Sequence, residues 1–437
     1  MAIYSYEEAF GATDQTSRKM RQAIDKWFSL YYGQGGAEDA DPCQRVAYAV
    51  VSKLVRTIFG EYQTSATEDF TRKLLESLNE KARQAMELSL VGGECYIKPC
   101  PAKAGFSFTL IPRQNVLIFG RNGAGRVTDM GLVEKSIRGR YYYTLLERRS
   151  VDEAGYLTIQ NRLFRSMNSQ NLGVEVKLRE HPDYQELAET YRYEKPVGSV
   201  GLVQLRTPML NCVDGSCDGV SVYAPAVGLI ANIDENEGQL RGEFLRGQSR
   251  IIASRDLLRS DEAGNKYLAD HLFVGLDDDP EQVGITVFSP QLRHESYLER
   301  KQEYLRNVES VIGLKRGMLS DANVEDRTAT EISSSAGDYN LTVIDFQRMW
   351  TQAVQEMVGL CLCLGQIYRL GVPSQTPDVS IDWGNGILYD EDKTWEDYQK
   401  MVASGLLKPE IALGWRFNMP AQTPEEQSAI RTRYMPN

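Results

Sequence analysis

Residues 328–370 read TATEISSSAGDYNLTVIDFQRMWTQAVQEMVGLCLCLGQIYRL, with no proline among them. Apolar and small residues recur at Ile332, Ala336, Tyr339, Val343, Phe346, Trp350, Ala353, Met357, Leu360 and Leu364. The gaps alternate four and three, the spacing that keeps one stripe on one face of a helix. Thr328 with Glu331 three residues on has the form of a capping box. A helix of this length runs roughly 60 Å at 1.5 Å per residue. Ser333, Ser334, Ser335 and Gly337 are weak helix formers and leave room for a kink near the start. So long a helix cannot be covered by one small domain. It must run through a core, bridge domains or pack in an assembly.

On the N-terminal side of this stretch the same period marks helices over 291–313 (Leu298, Leu305, Ile312) and from Pro225 to Gly247 (Ile233, Leu240, Phe244). Between them, 250–290 turns strand-like at 251–252, 272–274 and 285–288, around a turn at 261–264. Residues 314–327 form a polar connection, long for a simple helix–helix turn. Nearer the N-terminus, helices are predicted over 4–32, 42–60 (with Pro42 in its first turn) and 67–90. Gly92-Gly93 ends that pattern and the period drops to two. Strands are expected at 94–99, 106–111, 115–119, 140–148, 156–165 and 174–178, as an antiparallel meander. A loop-like stretch follows at 208–223. Past Pro373 the tail holds a short strand, 379–382, and helices at 391–405, 408–416 and 424–433.

The chain has 437 residues and a net charge of −11, which disfavours a protein that wraps nucleic acid by neutralising it. No apolar run reaches about 18 residues, so no membrane span is expected. The first residues lack the pattern of a signal peptide. Seven cysteines without such a leader suggest reduced thiols. The equal spacings Cys95–Cys100 and Cys212–Cys217 hint at zinc only weakly, because no CxxC knuckle accompanies them.

Enzyme signatures are thin. There is no phosphate-binding GxxxxGK[ST], no GxSxG elbow and no HExxH. Gly120–Gly125 reads as a turn. His181, His271 and His294 are scattered. Asp277-Asp278-Asp279 and Asp390-Glu391-Asp392 read more simply as solvated acidic loops or a helix start than as cation sites. No catalytic, cofactor or metal residues are assigned. A metal-dependent hydrolase using an acidic cluster remains the rival reading, and another capsid or tail component a third.

The order of elements resembles the portal proteins of tailed bacteriophages, in the branch similar to siphophage portals from Gram-positive hosts. The residues behind the resemblance are Trp27–Gly33, Ser89–Lys98 (SLVGGECYIK), Ile233–Asn236, Arg246–Arg250 and Asp326–Ile332 (DRTATEI). It implies an α+β, portal-like fold: a helical and β-rich wing over 1–223, stem helices over 224–249 and 291–313, and a small α/β clip over 250–290. A tunnel loop over 314–327, a long spine helix over 328–373 and a small helical crown over 374–437 complete it. It implies a homo-oligomeric ring, usually of twelve, at one capsid vertex of the virion, assembled in the host cytoplasm. The partners implied are double-stranded DNA in the channel, the terminase large subunit, a head-completion adaptor, and the major capsid and scaffold proteins. The tunnel-loop candidates are Lys315, Arg316, Asp321, Asn323, Glu325, Asp326 and Arg327. The ring-interface candidates are Ile233, Leu240, Phe244, Leu298, Leu305 and Ile312, whose stripes the helices are expected to bury only on ring closure. Asp277, Asp278 and Asp279 are the candidates for clip docking.

Overall fold

The computed structural model describes residues 5–33, 43–102, 105–247, 250–253, 258–260, 266–268, 285–288, 292–321, 329–373, 377–384, 391–417, 419–421 and 423–435. Side chains are described within these except at 250–288, 329–338 and 391–394.

The first helical region is two helices, α1 (Tyr6–Phe10) and α2 (Arg18–Tyr32), rather than the continuous one predicted over 4–32. Gly11 takes a left-handed conformation that stops the first, and the Ser17 hydroxyl accepts the Met20 N–H to start the second. Helix α3 spans Val46–Ile58; Pro42, expected in its first turn, lies outside the described residues. Strand β1 (Gln63–Ala66) and helix α4 (Asp69–Gly92) follow.

Strands β2 (Glu94–Ala102), β3 (Gly105–Pro112), β4 (Val116–Arg121), β5 (Val127–Arg138), β6 (Tyr141–Val151), β7 (Leu157–Ser166), β8 (Val174–Val176), β9 (Thr190–Arg192) and β10 (Val203–Arg206) build the β region. β4 to β8 pair in sequence order, all antiparallel, with β9 added to β7. A separate sheet has the order β10-β2-β3. The expected strand list omits β5, because VTDMGLVEKSIR interrupts its apolar residues with Asp129, Gly131 and Glu134. Pairing on both edges makes it a strand all the same. Gly93, where helix gives way to sheet, has φ +80, and a Cβ there would lie 2.3 Å from the Gly219 backbone. Only glycine fits both demands.

Helix α5 (Val227–Arg246) and helix α6 (His294–Ile312) pack as an antiparallel hairpin. Asn236 donates to the Tyr297 carbonyl at 3.0 Å, Glu243 pairs with Arg293, and Glu237 with Lys301. At its open end β11 (Arg250–Ala253) pairs with β14 (Ile285–Phe288), and β12 (Leu258–Ser260) pairs with β13 (Lys266–Leu268). The strand expected at 272–274 and the turn at 261–264 lie outside the described residues.

Helix α7 spans Ala329–Tyr368 without a break in its helical backbone; Thr328, the expected cap, is outside the described residues. Every described position of the quoted stripe, from Tyr339 to Leu364, is buried. The helix lies against α3, α4, β2 and β10. Trp350 sits at its centre, fully covered, with the Phe59 ring 5.6 Å away and its indole N–H on the Tyr62 hydroxyl at 2.9 Å. Strand β15 (Val379–Asp382) returns to pair with β1, and Trp383 closes the aromatic group against Tyr62 at 4.7 Å. Helices α8 (Glu391–Ala403), α9 (Pro409–Arg416) and α10 (Pro424–Tyr434) end the chain, the last with a complete Thr423–Glu426 capping box. Among the described residues no helix is long and apolar enough to cross a membrane.

Candidate nucleic-acid interface

The α5–α6 hairpin divides into two halves. Near its base Ile230, Ile233, Leu305, Val308 and Ile312 are buried within the chain itself and belong to the main core. This corrects the expectation that the stripes await a neighbouring subunit: Ile233, Leu305 and Ile312 are covered already, because the two helices meet each other and the helical core. Toward the strand-bearing end, Phe244 (47% exposed), Leu245 (55%) and Leu298 (49%) stay at the surface, and Leu240 is half-buried. Of the six interface candidates, three therefore remain for a partner. Arg293 and Glu243 brace this end, and the ion pair holds the Glu243 carboxyl below its usual range.

Helix α6 ends at Gly313 in a left-handed cap. The connection that follows is not wholly free to project, as its length and polarity suggest. Leu314 is buried, and Met318 and Leu319 pack partly against the main core. The Glu309 side chain, 1% exposed, accepts the backbone N–H groups of Gly317, Leu319 and Ser320 and the Ser320 hydroxyl, at 2.5–3.2 Å. Gln302 accepts the Asp321 N–H at 2.8 Å. No Lys or Arg lies within ion-pair distance of Glu309 among the described residues, so the loop amides themselves solvate the buried charge. Lys315, Arg316 and Asp321 are exposed on this anchored segment. Asn323, Glu325, Asp326 and Arg327 lie outside the described residues, as do Asp277, Asp278 and Asp279.

Sequence reasoning missed Glu309. The available signal was its place: a carboxylate inside the apolar stripe of α6, in the last turn, where the helix dipole disfavours negative charge. Such a residue serves something other than its own helix.

The β region is joined to the helices by a second buried ionic group. Arg113 is fully covered, 3.2 Å from Glu94 and 3.4 Å from Asp218, and donates to Thr16 at 2.7 Å. Burial alone would lower its pKa, but Glu94 and Asp218 outweigh it and the guanidinium is held charged. Glu147 of β6 is similarly set between Arg149 and Lys98. Burial pushes its carboxyl up, and the two cations override that and bring it to about 2.

The features weighed for enzyme chemistry are dispersed. Gly120 and Arg121 end β4, and residues 122–126 make the turn to β5, with the Asn122 N–H on the Arg126 carbonyl at 2.9 Å. His181 is buried between Tyr143 and Tyr184, His294 is exposed at the start of α6, and His271 and Asp390 lie outside the described residues. No disulfide joins any two of the seven cysteines. Among the described residues no group of three or more His, Cys, Asp or Glu side chains could hold a metal ion. A cleft of about 600 Å³ lies between the β region and α7. Its two acids, Asp345 and Glu356, sit eleven residues apart on one helix, roughly 16 Å at 1.5 Å per residue. They are too far apart to converge on one bond.

The helical hairpin carries a small strand pair at one end and is anchored at the other by a buried carboxylate to the segment that follows it. The family model for phage portal proteins of the SPP1 Gp6-like type matches residues 132–431, from β5 to the last helix. Comparison with curated proteins finds no match. With well over half of its length matched, the chain belongs to the SPP1 Gp6-like family of phage portal proteins.

Proposed function

We propose that this portal protein closes into a ring, conventionally of twelve subunits, at one capsid vertex, and that double-stranded DNA passes through it during packaging and ejection. In this reading 1–223 with 328–373 is the wing, the α5–α6 hairpin (224–249 and 291–313) the stem, and 250–290 the clip that meets the terminase large subunit and later a head-completion adaptor. Residues 314–327 are the tunnel loop and 374–437 a reduced crown; capsid and scaffold proteins surround the wing. The supporting observation is the split hairpin. Its base is satisfied within the protomer, while Phe244, Leu245 and Leu298 are left uncovered at the end that carries the strands. Apolar side chains of that size on a helix pair are expected to be buried by a neighbour.

An acidic protein suits a conduit that DNA must slide past, since weak cationic contacts from Lys315 and Arg316 exchange readily when screened over about 10 Å. The family is structural, which counts against the hydrolase alternative; Asp277–Asp279 and Asp390, which that alternative would use, lie outside the described residues. Negative-stain microscopy and mass photometry of the purified chain test the reading: closed rings with an axial channel are expected. A wild-type chain that stays monomeric across micromolar concentrations refutes it.

A further inference from the structure

The β5–β6 hairpin ends in a tip that the ring reading does not use. Lys135-Ser136-Ile137-Arg138-Gly139-Arg140-Tyr141-Tyr142 turns at Gly139 (φ +60), with Arg138 paired to Tyr141. No acid occurs from Lys135 through Leu146, in a chain of net charge −11. Lys135, Arg138 and Arg140 are exposed, and no carboxylate forms an ion pair with any of them among the described residues. The nearest acid in sequence, Glu134, is occupied by the Tyr184 hydroxyl at 2.8 Å. Tyr141 is flanked by two guanidiniums, Arg140 at 5.1 Å and Arg165 at 5.0 Å from its ring centroid. Arg165 is itself paired with Glu180.

Position matters as much as charge. The opposite end of β6, at Val151, pairs with Leu157 of β7, beside Tyr193, whose hydroxyl meets that of Tyr368 at the end of α7 at 2.8 Å. Ten residues of strand separate the tip from that end, roughly 33 Å along β6.

We infer that this hairpin tip is a contact for the phosphodiester backbone of double-stranded DNA lying outside the channel. The occupant follows from the balance of surfaces. Among the described residues the large apolar side chains exposed at this end are Ile137 (70%), Met167 (68%) and Val174 (46%), a scattered set too small for a stable protein interface. Three cations with no carboxylate partner among the described residues, on a narrow two-stranded ribbon, suffice for weak, salt-sensitive phosphate contacts without base reading. Repetition around a ring turns weak contacts into useful avidity. The inference rests on the portal reading for its supply of DNA, but not on the channel.

The test uses a relaxed, covalently closed DNA minicircle, which cannot thread a channel and so probes only outer surfaces. Full-length protein is titrated into labelled minicircle between 20 and 200 mM salt, with mass photometry on the same samples. Wild type should bind. Lys135→Ser/Arg138→Ser/Arg140→Ser should weaken binding about tenfold or more and reduce the log–log salt slope by about 2.7, at 0.9 per phosphate contact. Arg138→Lys/Arg140→Lys should retain it, since charge rather than guanidinium shape carries the contact. Unchanged affinity and slope in the triple serine variant overturn the inference, as does a wild type that ignores the circle. Polyglutamate competing as well as DNA at equal charge overturns it in favour of an acidic protein partner. Tip-dependent binding by protein that forms no rings sinks the assembly reading and leaves the inference standing. Rings whose DNA affinity ignores the tip do the reverse.

Discussion

Replacing Glu309 with Ala should release the anchored segment that follows α6 while leaving the helix hairpin in place. The carboxylate takes four donors, three backbone N–H groups and the Ser320 hydroxyl. At about 1.5–3 kcal/mol for each hydrogen bond to a charged group, together they are worth roughly 6–12 kcal/mol. Holding the five residues 317–321 in one backbone conformation costs about 1–2 kcal/mol each, roughly 5–10 kcal/mol in all. The two sums are of similar size, so the segment is ordered only because the carboxylate is there. Without it the amides turn to water and the segment opens, carrying Met318 and Leu319 off the core. The global cost is then limited to that partial exposure, about 2–4 kcal/mol, much less than the bonds lost. Glu309→Gln keeps the shape and one acceptor oxygen and should cost about half as much. Hydrogen exchange followed by mass spectrometry reads the local effect. Amides in 313–321 should exchange at least a hundredfold faster in Glu309→Ala, with those of 227–246 and 294–308 unchanged. Equal protection of 313–321 in wild type and Glu309→Ala would refute the clamp. Accelerated exchange throughout α6 would show instead that Glu309 supports the helix. Because this segment is the first part of the proposed tunnel loop, Glu309→Ala should also change packaging rate in an assembled particle without reducing ring yield.

Three further outcomes follow from the packing. Asp placed at both Phe244 and Leu298 should abolish rings while leaving a folded protomer by circular dichroism; intact rings would remove the strand-bearing half of the hairpin from the subunit contact. Leu305→Asp, by contrast, should unfold the protomer, because that side chain is 8% exposed inside the main core. Glu147, held at about 2 from an ordinary value near 4.5, adds stability that is fully present above about pH 4.5 and is lost as pH falls toward 2. Glu147→Gln should therefore be about 3 kcal/mol less stable at pH 7 in urea titrations, with the gap closing near pH 2; a gap independent of pH would contradict the pairing with Arg149 and Lys98. Gly93→Ala should cost about 3 kcal/mol or more by chemical denaturation, from a left-handed φ and a Cβ that meets the Gly219 backbone, whereas Gly139→Ala, equally left-handed but in open space, should cost about 1 kcal/mol. Equal costs at the two glycines would show that the close approach at Gly219 contributes nothing.

Local periodicity carried much of the fold. The stripe from Tyr339 to Leu364 fell on one buried face, and the flanking helices and most strands appeared near their expected bounds, because a period of 3.6 or 2 is written within a few residues of each position. The order helix, strands, helix, loop, long helix was likewise readable, and with it the family resemblance. What periodicity does not carry is the identity of the covering surface. Ile233, Leu305 and Ile312 look no different in sequence from Phe244 and Leu298, yet the former are sealed by the chain's own core and the latter are left bare. That difference depends on contacts between segments far apart in the chain. The same holds for β1, a short polar segment that becomes a strand only by meeting β15, and for β5, whose charged residues hide a paired strand. Glu309 is the extreme case. A carboxylate within an apolar stripe reads as a flaw until the backbone after Gly313 folds back and brings its N–H groups together, and only the folded chain makes that convergence.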